Sequence, residues 1–256
     1  MEKARELFET NSKEYCDGPL KFAICMATYR RPNGKSPYYL ERSLTCLKNQ
    51  TATNWHLFLV GDKYESQEEF DSACKLLPES KLTALNLPIA PERENISDSM
   101  NRWKVAGANA FNHAHSLALE KGYDYILHLD DDDVFHEKKI QLLNYTISLF
   151  DAPPSYIFHF ADYIKNMVLP MHNIPNTLSP NNLIPKPTDC IHSSYCIHKS
   201  LLKDFSFSGY EPGKIHYLEG DIQFLNFLHS YLQKTPGSFS LFLPFKLCEH
   251  KVEREF

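Results

Sequence analysis

The sequence predicts an α/β fold with a mostly parallel central sheet and helices on both faces. Three observations carry that prediction. Short apolar runs of strand length recur at residues 22–27, 55–61 and 125–129, segments with helically spaced apolar residues separate them, and each run ends in a polar residue. An apolar run without alternation is the pattern of a strand covered on both faces, and strands that alternate with helices argue for parallel pairing.

Taken in order, residues 1–20 read as a short helical or irregular lead-in that turns at Cys16-Asp17-Gly18-Pro19. The first strand follows, and then a polar loop from Thr28 to Lys35. Leu40, Ser43, Leu44 and Leu47 recur at helical spacing up to Gln50. After the second strand, Ser66 with Glu69 three residues on is a capping-box match that opens a helix to about Leu77. A weaker strand near Leu82–Leu87 precedes a Pro-, Asn- and Ser-rich loop over 88–101. Phe111, Ala114, Leu117 and Ala118 line one face of a helix stopped by Gly122, and the third apolar run comes next. A helix over 137–150 and a strand over 156–160 follow. Residues 163–188 hold five prolines and five asparagines without periodicity, the pattern of a binding loop or lid. A strand over 190–197, helices over 199–205 and 219–233, and a last strand near 239–243 complete the reading, and the whole of 1–256 is expected to form one domain.

Composition narrows the function. Among 256 residues, 43% are hydrophobic and 23% charged, so the chain can bury a substantial core. Net charge is −5 with no basic block, which argues against a nucleic-acid surface. No signal-like stretch or apolar run of membrane-spanning length is present, so a cytoplasmic protein without a transmembrane segment is expected. The seven cysteines form no Cys-x-x-Cys pair, so neither a zinc site nor a disulfide is assigned.

The third apolar run ends in Asp130-Asp131-Asp132-Asp133. Adjacent carboxylates repel one another and need a cation or hydrogen-bond donors. Hard oxygen ligands on one loop suit Mg²⁺ or Mn²⁺, and the carboxyl end of a strand is where open α/β sheets bind ligands. The alternative is an acidic loop pointing into water or capping the next helix. If the loop is extended, Asp130 and Asp132 share one side, and Asp131 and Asp133 turn to the other.

The first strand ending in Thr28, the helix ending at Gln50, the Asn54-Trp55 pair and the second strand ending at Asp62 resemble the opening of family 2-type glycosyltransferases of the GT-A fold. Gly122-Tyr123-Asp124-Tyr125-Ile126 followed by Leu129-Asp130-Asp131-Asp132-Asp133 is similar to that family's Asp-x-Asp strand. The stretch Cys190–Lys199 resembles its acceptor-side strand, and Glu219-Gly220-Asp221 its acidic pair at a helix start. The resemblance covers roughly residues 21–235, and small soluble members occur in bacteria and large DNA viruses. It implies a nucleotide-sugar half at about 21–133, an acceptor half at about 134–256, a UDP-sugar donor and a glycan or glycoconjugate acceptor.

The resemblance also implies roles. Asp132, Asp130 and His250 are the expected metal ligands, with the metal bridging the donor's phosphates. Thr28, Arg30, Asp62, Arg102, Asp130 and Asp131 form the expected donor-binding set. Arg102 enters because Ala108-Asn109-Ala110 lacks the arginine often found in the family's helix, a place that Arg102 or Lys104 is expected to fill. Asp221, with Glu219 second, is the expected acceptor of the hydroxyl proton, although both also suit the positive end of a helix. His192, Trp103, Tyr210 and Tyr217 are available to stack on sugars, with core packing as the alternative.

Three other readings compete. Asp130-x-Asp132 after an apolar strand fits a haloacid dehalogenase-type phosphotransferase, but that motif opens its domain, and here two strands precede it. A calcium loop of the EF-hand type fails because Phe135 stands where Gly is needed. A non-catalytic nucleotide- or glycan-binding module is the remaining alternative.

Overall fold

A computed structural model describes residues 1–151, 155–164, 167–169, 179–181 and 191–250. The first part of the chain runs α1 (Glu2–Glu9), β1 (Phe22–Thr28), α2 (Ser36–Lys48), β2 (Trp55–Gly61), α3 (Gln67–Cys74) and β3 (Leu82–Asn86). Next come α4 (Pro91–Asn95), α5 (Ser99–Lys104), α6 (Ala108–Glu120), β4 (Tyr125–His128), β5 (Asp133–Phe135) and α7 (Lys139–Phe150). The remainder is β6 (Tyr156–Ile164), β7 (Met167–Leu169), β8 (Ser179–Asn181), β9 (Tyr195–His198), α8 (Lys199–Leu202), α9 (Gly220–Lys234) and β10 (Phe239–His250), with a 3-10 turn at Glu79–Lys81 ahead of β3 and another at His192–Ser194 ahead of β9.

One sheet has the order β3-β2-β1-β4-β9-β6-β10-β5, with β7 beside β6 and β8 beside β10. Strands β3, β2, β1 and β4 are mutually parallel, the arrangement expected of the apolar runs. Beyond β4 the sheet is mixed: β9 is antiparallel to both β4 and β6, and β10 is parallel to β6 but antiparallel to β5. The chain builds outward from β1 to β3 and then returns to place β4 on the other side of β1. That reversal opens a crevice at the carboxyl ends of β1 and β4.

The unbroken apolar runs are explained by two cores. In β1, Phe22, Ile24 and Met26 face a core shared with α2 and α7, while Ala23 and Cys25 face a second core shared with α6 and α9. The same division holds in β2 and β4. At the crevice end, Gly107 precedes α6 with φ +76, and a Cβ there would stand 3.1 Å from the Ala27 Cβ, so a glycine lets α6 approach β1 closely.

Several boundaries differ from the sequence reading. The polar segment 88–101 contains α4 and the start of α5, because Pro91 suits a first helical turn and the Asp98 side chain accepts from the Asn101 N–H at 2.7 Å. The last strand runs through to His250, its register with β6 shifting around Leu243–Lys246 and again before Cys248. The expected strand over 190–197 starts only at Tyr195, after the 3-10 turn. Cys190 and most of the proposed lid over 163–188 lie outside the described residues.

Buried histidines leave a signature. Nε2 of His115 and Nε2 of His128 are 2.7 Å apart, so one donates to the other. Burial pushes His115 and His159 down to about 3 and holds His128 well below its ordinary value. A histidine whose folded pKa is depressed adds nothing to stability above its unfolded pKa but loses stability as pH falls below it. For His159, at about 3 when folded against 6.5 unfolded, the loss at pH 5 is about 2 kcal/mol. Its Nδ1 has no hydrogen-bond partner among the described residues, so His159→Phe is expected to fold and to flatten the pH dependence. Urea unfolding at pH 7 and pH 5 checks this, and an unchanged slope contradicts it.

Candidate active site

The four aspartates do not form an extended loop. The Leu129 N–H still bonds to the Cys25 carbonyl at 3.0 Å, but the Asp133 N–H bonds back to the Asp130 carbonyl at 3.0 Å, closing a tight turn. β5 then starts at Asp133 opposite His250 of β10. Two residues of α2 hold the turn from behind. The Ser43 hydroxyl lies 2.9 Å from the Asp131 carbonyl oxygen and 2.6 Å from that of Asp133, and Arg42 donates to the Asp132 carbonyl at 2.5 Å.

Because the backbone turns, each carboxylate meets a different environment. Asp131 points inward, accepting from the Thr28 hydroxyl at 2.7 Å and from both Nη atoms of Arg31 at 2.9 and 2.5 Å. The expectation that Asp131 turns away from the site is thereby corrected: it is the anchor of Arg31. Asp132 faces the open cleft with 27% of its side chain exposed, 3.3 Å from Arg31. Burial, followed by its three aspartate neighbours, pushes its carboxyl up to about 7 against the pull of Arg31. Asp130 accepts from Nε2 of His192 at 2.9 Å; burial works against its ionisation, but the imidazole outweighs this and lowers its pKa.

Asp133 is fully buried, and its Oδ1 bonds to Nδ1 of His250 at 2.5 Å. Burial raises the Asp133 pKa in spite of that histidine. Its Oδ2 has no hydrogen-bond partner among the described residues. Burial alone would lower the His250 pKa, but Asp133 and its neighbours outweigh it and raise the imidazole to about 9. Ligand atoms of Asp130, Asp133 and His250 all lie within 4.8 Å of one another.

Across the cleft, Glu219 and Asp221 stand at the start of α9, with Glu219 at the N-cap position and Asp221 in the first turn. Oδ1 of Asp221 accepts the His192 backbone N–H at 2.7 Å. The same oxygen lies 2.8 Å from the ring Nδ1, a charge contact and not an aligned hydrogen bond. Burial disfavours a charged His192, yet Asp130 and Asp221 together raise its pKa well above the ordinary value.

The cleft has a volume of about 970 Å³ and is lined by Thr28, Asp62, Asp130, Asp131, Asp132, Glu219, Asp221 and His250, all expected from sequence. Two expected residues stand elsewhere. Arg30 points out to pair with Glu69 at 3.2 Å with 57% of its side chain exposed, and Arg31 takes the inward position. Arg102 lies on α5 but not on the cleft wall, where Trp103 and Lys104 stand instead. Asp62 is buried and paired with Arg93 at 3.1 Å, and burial raises its pKa in spite of that arginine. Sequence reading missed Arg31, Arg93 and the bond from Asp133 to His250. Two adjacent arginines were the one hint of the first.

A family model described as glycosyl transferase family 2 matches residues 23–205. An uncharacterized glycosyltransferase of Acanthamoeba polyphaga mimivirus is 33% identical over 241 residues, covering 91% of this chain and 95% of the relative. Among solved structures, residues 1–349 of S. aureus TarS align with a TM-score of 0.63 at 14% identity, over 91% of this chain and 60% of that one. The same protein in complex with UDP-GlcNAc aligns with a TM-score of 0.63 over 93% of this chain. This chain spans 60% of the length of those two solved chains, and at that identity the likeness establishes a shared GT-A-type fold.

The contrast between Arg30 and Arg31 is measurable. Arg31→Ala strands a buried carboxylate and is expected to cost about 3–5 kcal/mol in denaturant unfolding, whereas Arg30→Ala at an exposed pair is expected to stay within about 0.5 kcal/mol. Equal losses from the two contradict the assignment.

Proposed function

The chain belongs to glycosyl transferase family 2, and from that premise we propose that it moves a sugar from a UDP-sugar to a hydroxyl of a glycan or glycoconjugate, assisted by Mn²⁺ or Mg²⁺. One observation supports this most: the aspartate turn and Asp221 line the same cleft, at the carboxyl ends of β1 and β4 where the strand order reverses. UDP as the nucleotide is supported by the TarS structures in complex with UDP and UDP-GlcNAc. Both halves of the chain contribute to the cleft, as a single catalytic unit requires. Among the described residues no helix is long and apolar enough to cross a membrane. A cytoplasmic setting belongs to the same proposal and is supported by the six cysteines among the described residues, all of them free.

The residues present fit a divalent cation. Asp133 has a buried oxygen without a donor, the gathered set of Asp130, Asp133 and His250 is carboxylates plus one imidazole, and the raised carboxyl of Asp132 adjoins it on the same turn. Asp132, Asp130 and His250 would hold the ion, with Asp133 orienting His250 through Nδ1 and leaving its Nε2 available. When bound, the ion neutralises charge that grows on the diphosphate as the glycosidic bond breaks.

The chain's own residues supply the rest. Arg31, fixed by Asp131, brings positive charge to within 3.3 Å of the Asp132 carboxylate at the donor side. Thr28 and Asp62 end β1 and β2 where the nucleotide is expected, and Trp103 offers an aromatic face at the cleft wall. Asp221 is partly exposed and accepts the proton of the attacking hydroxyl, with Glu219 as second candidate. The phosphotransferase alternative falls with the family assignment.

A panel of UDP-sugars assayed for UDP release with and without Mn²⁺ tests the reading. Release is expected to need the metal, to stop with chelator and to fall at least about 100-fold in Asp132→Asn. UDP with Mn²⁺ at 100 times its dissociation constant is expected to stabilise the protein by about 2.7 kcal/mol. Tight UDP binding without release from any UDP-sugar, glycan acceptors included, contradicts transfer and favours a binding module.

A further inference from the structure

The 3-10 turn at His192–Ser194 joins the two sides of the cleft. Behind it, the buried Lys139 ammonium donates to the Ser193 carbonyl oxygen at 2.8 Å. His192 is 7% exposed and its ring stands edge-on to Phe111 and to His128, each with centroids 5.2 Å away. A ring packed in this way cannot swing. Its two nitrogens meet different carboxylates, Nε2 that of Asp130 on the donor side and Nδ1 that of Asp221 on the acceptor side.

Asp221 depends on this one residue. Among the described residues, its carboxylate is held only by the backbone N–H and ring of His192, although it stands 32% exposed at the start of a helix facing an open cleft. A carboxylate so placed, without a fixed partner, samples several rotamers, and a misplacement of about 1 Å costs about 100-fold in rate.

We propose that His192 is a positioning residue: a rigid bridge that fixes the Asp221 carboxylate at a set distance from the donor-side Asp130. The role rests on the transfer reaction proposed above. His192 itself exchanges no proton with substrate in this account. It acts through Asp221, by packing and by contact.

Steady-state kinetics on four variants tests it. His192→Phe keeps the ring and its packing but removes both nitrogens, and is expected to lower kcat by about 10- to 100-fold, a larger effect than on donor KM and UDP affinity, which feel only the lost bond to Asp130. In the Asp221→Asn background the same change is expected to alter the residual rate less than about twofold, because the two residues act as one unit. His192→Asn sets an amide near the position of Nδ1 and His192→Gln near that of Nε2, so the first is expected to keep more kcat than the second. These two also stand in if the Phe variant does not fold.

Three results overturn the proposal: an unchanged kcat in His192→Phe, a loss confined to donor KM, or losses that multiply with Asp221→Asn. If Asp221→Asn abolishes transfer while His192→Phe does not, only the bridge is lost. If the unaltered protein transfers no sugar, the functional reading itself has failed.

Discussion

Four carboxylates on one turn repel one another, and most of the local architecture answers that repulsion. Arg31 neutralises Asp131 from within the fold, His192 stands against Asp130, and His250 stands against Asp133. The turn's carbonyls are tied to Ser43 and Arg42, so the backbone cannot relax by opening. Asp132 keeps the least compensation, with its side chain partly open to the cleft. A divalent cation at this point would supply the missing charge, which is why the turn reads as a binding device and not as a solvated acidic loop.

The sheet explains how distant residues converge. Reversal of strand order between β1 and β4 makes the crevice, and the parallel half supplies Thr28, Arg31 and the aspartates. The mixed half then folds back across it. β10 runs beside β5 so that its last residue meets the turn, the 3-10 turn before β9 brings His192, and α9 presents Asp221 with its positive end towards the same space. The aspartate turn and Asp221 thus come from different halves of the chain and meet at one cleft.

Much of this was legible in the residues. The unbroken runs at Phe22, Trp55 and Tyr125 mark strands buried on both faces, and the N-cap half of the expected Ser66 box is present, the Ser66 hydroxyl accepting from the Glu69 N–H at 3.2 Å, while the Glu69 carboxylate pairs with Arg30 instead. Eight of the ten expected site residues line one cleft because strand ends and a helix start fix their places. What could not be read depends on turns and on contacts between distant residues. Whether the aspartate loop is extended or tightly turned decides which carboxylates share a side, and the choice rests on a backbone bond of four-residue span together with Ser43, some 90 positions away. Arg30 and Arg31 are equivalent in sequence until Asp131, 100 residues later, selects one. The length of the last strand was hidden by Pro244, where the pairing with β6 shifts register and continues.

The central claim is that the aspartate turn is completed by a divalent cation when a nucleotide is bound. Diffraction from crystals grown with UDP and Mn²⁺, collected for anomalous scattering at the manganese edge, tests it most directly. The account predicts one strong peak within ligand distance of the Asp132 carboxylate and the His250 imidazole, adjacent to the nucleotide's phosphates. UDP bound in the cleft with no manganese at the turn, or manganese elsewhere on the surface, would contradict it.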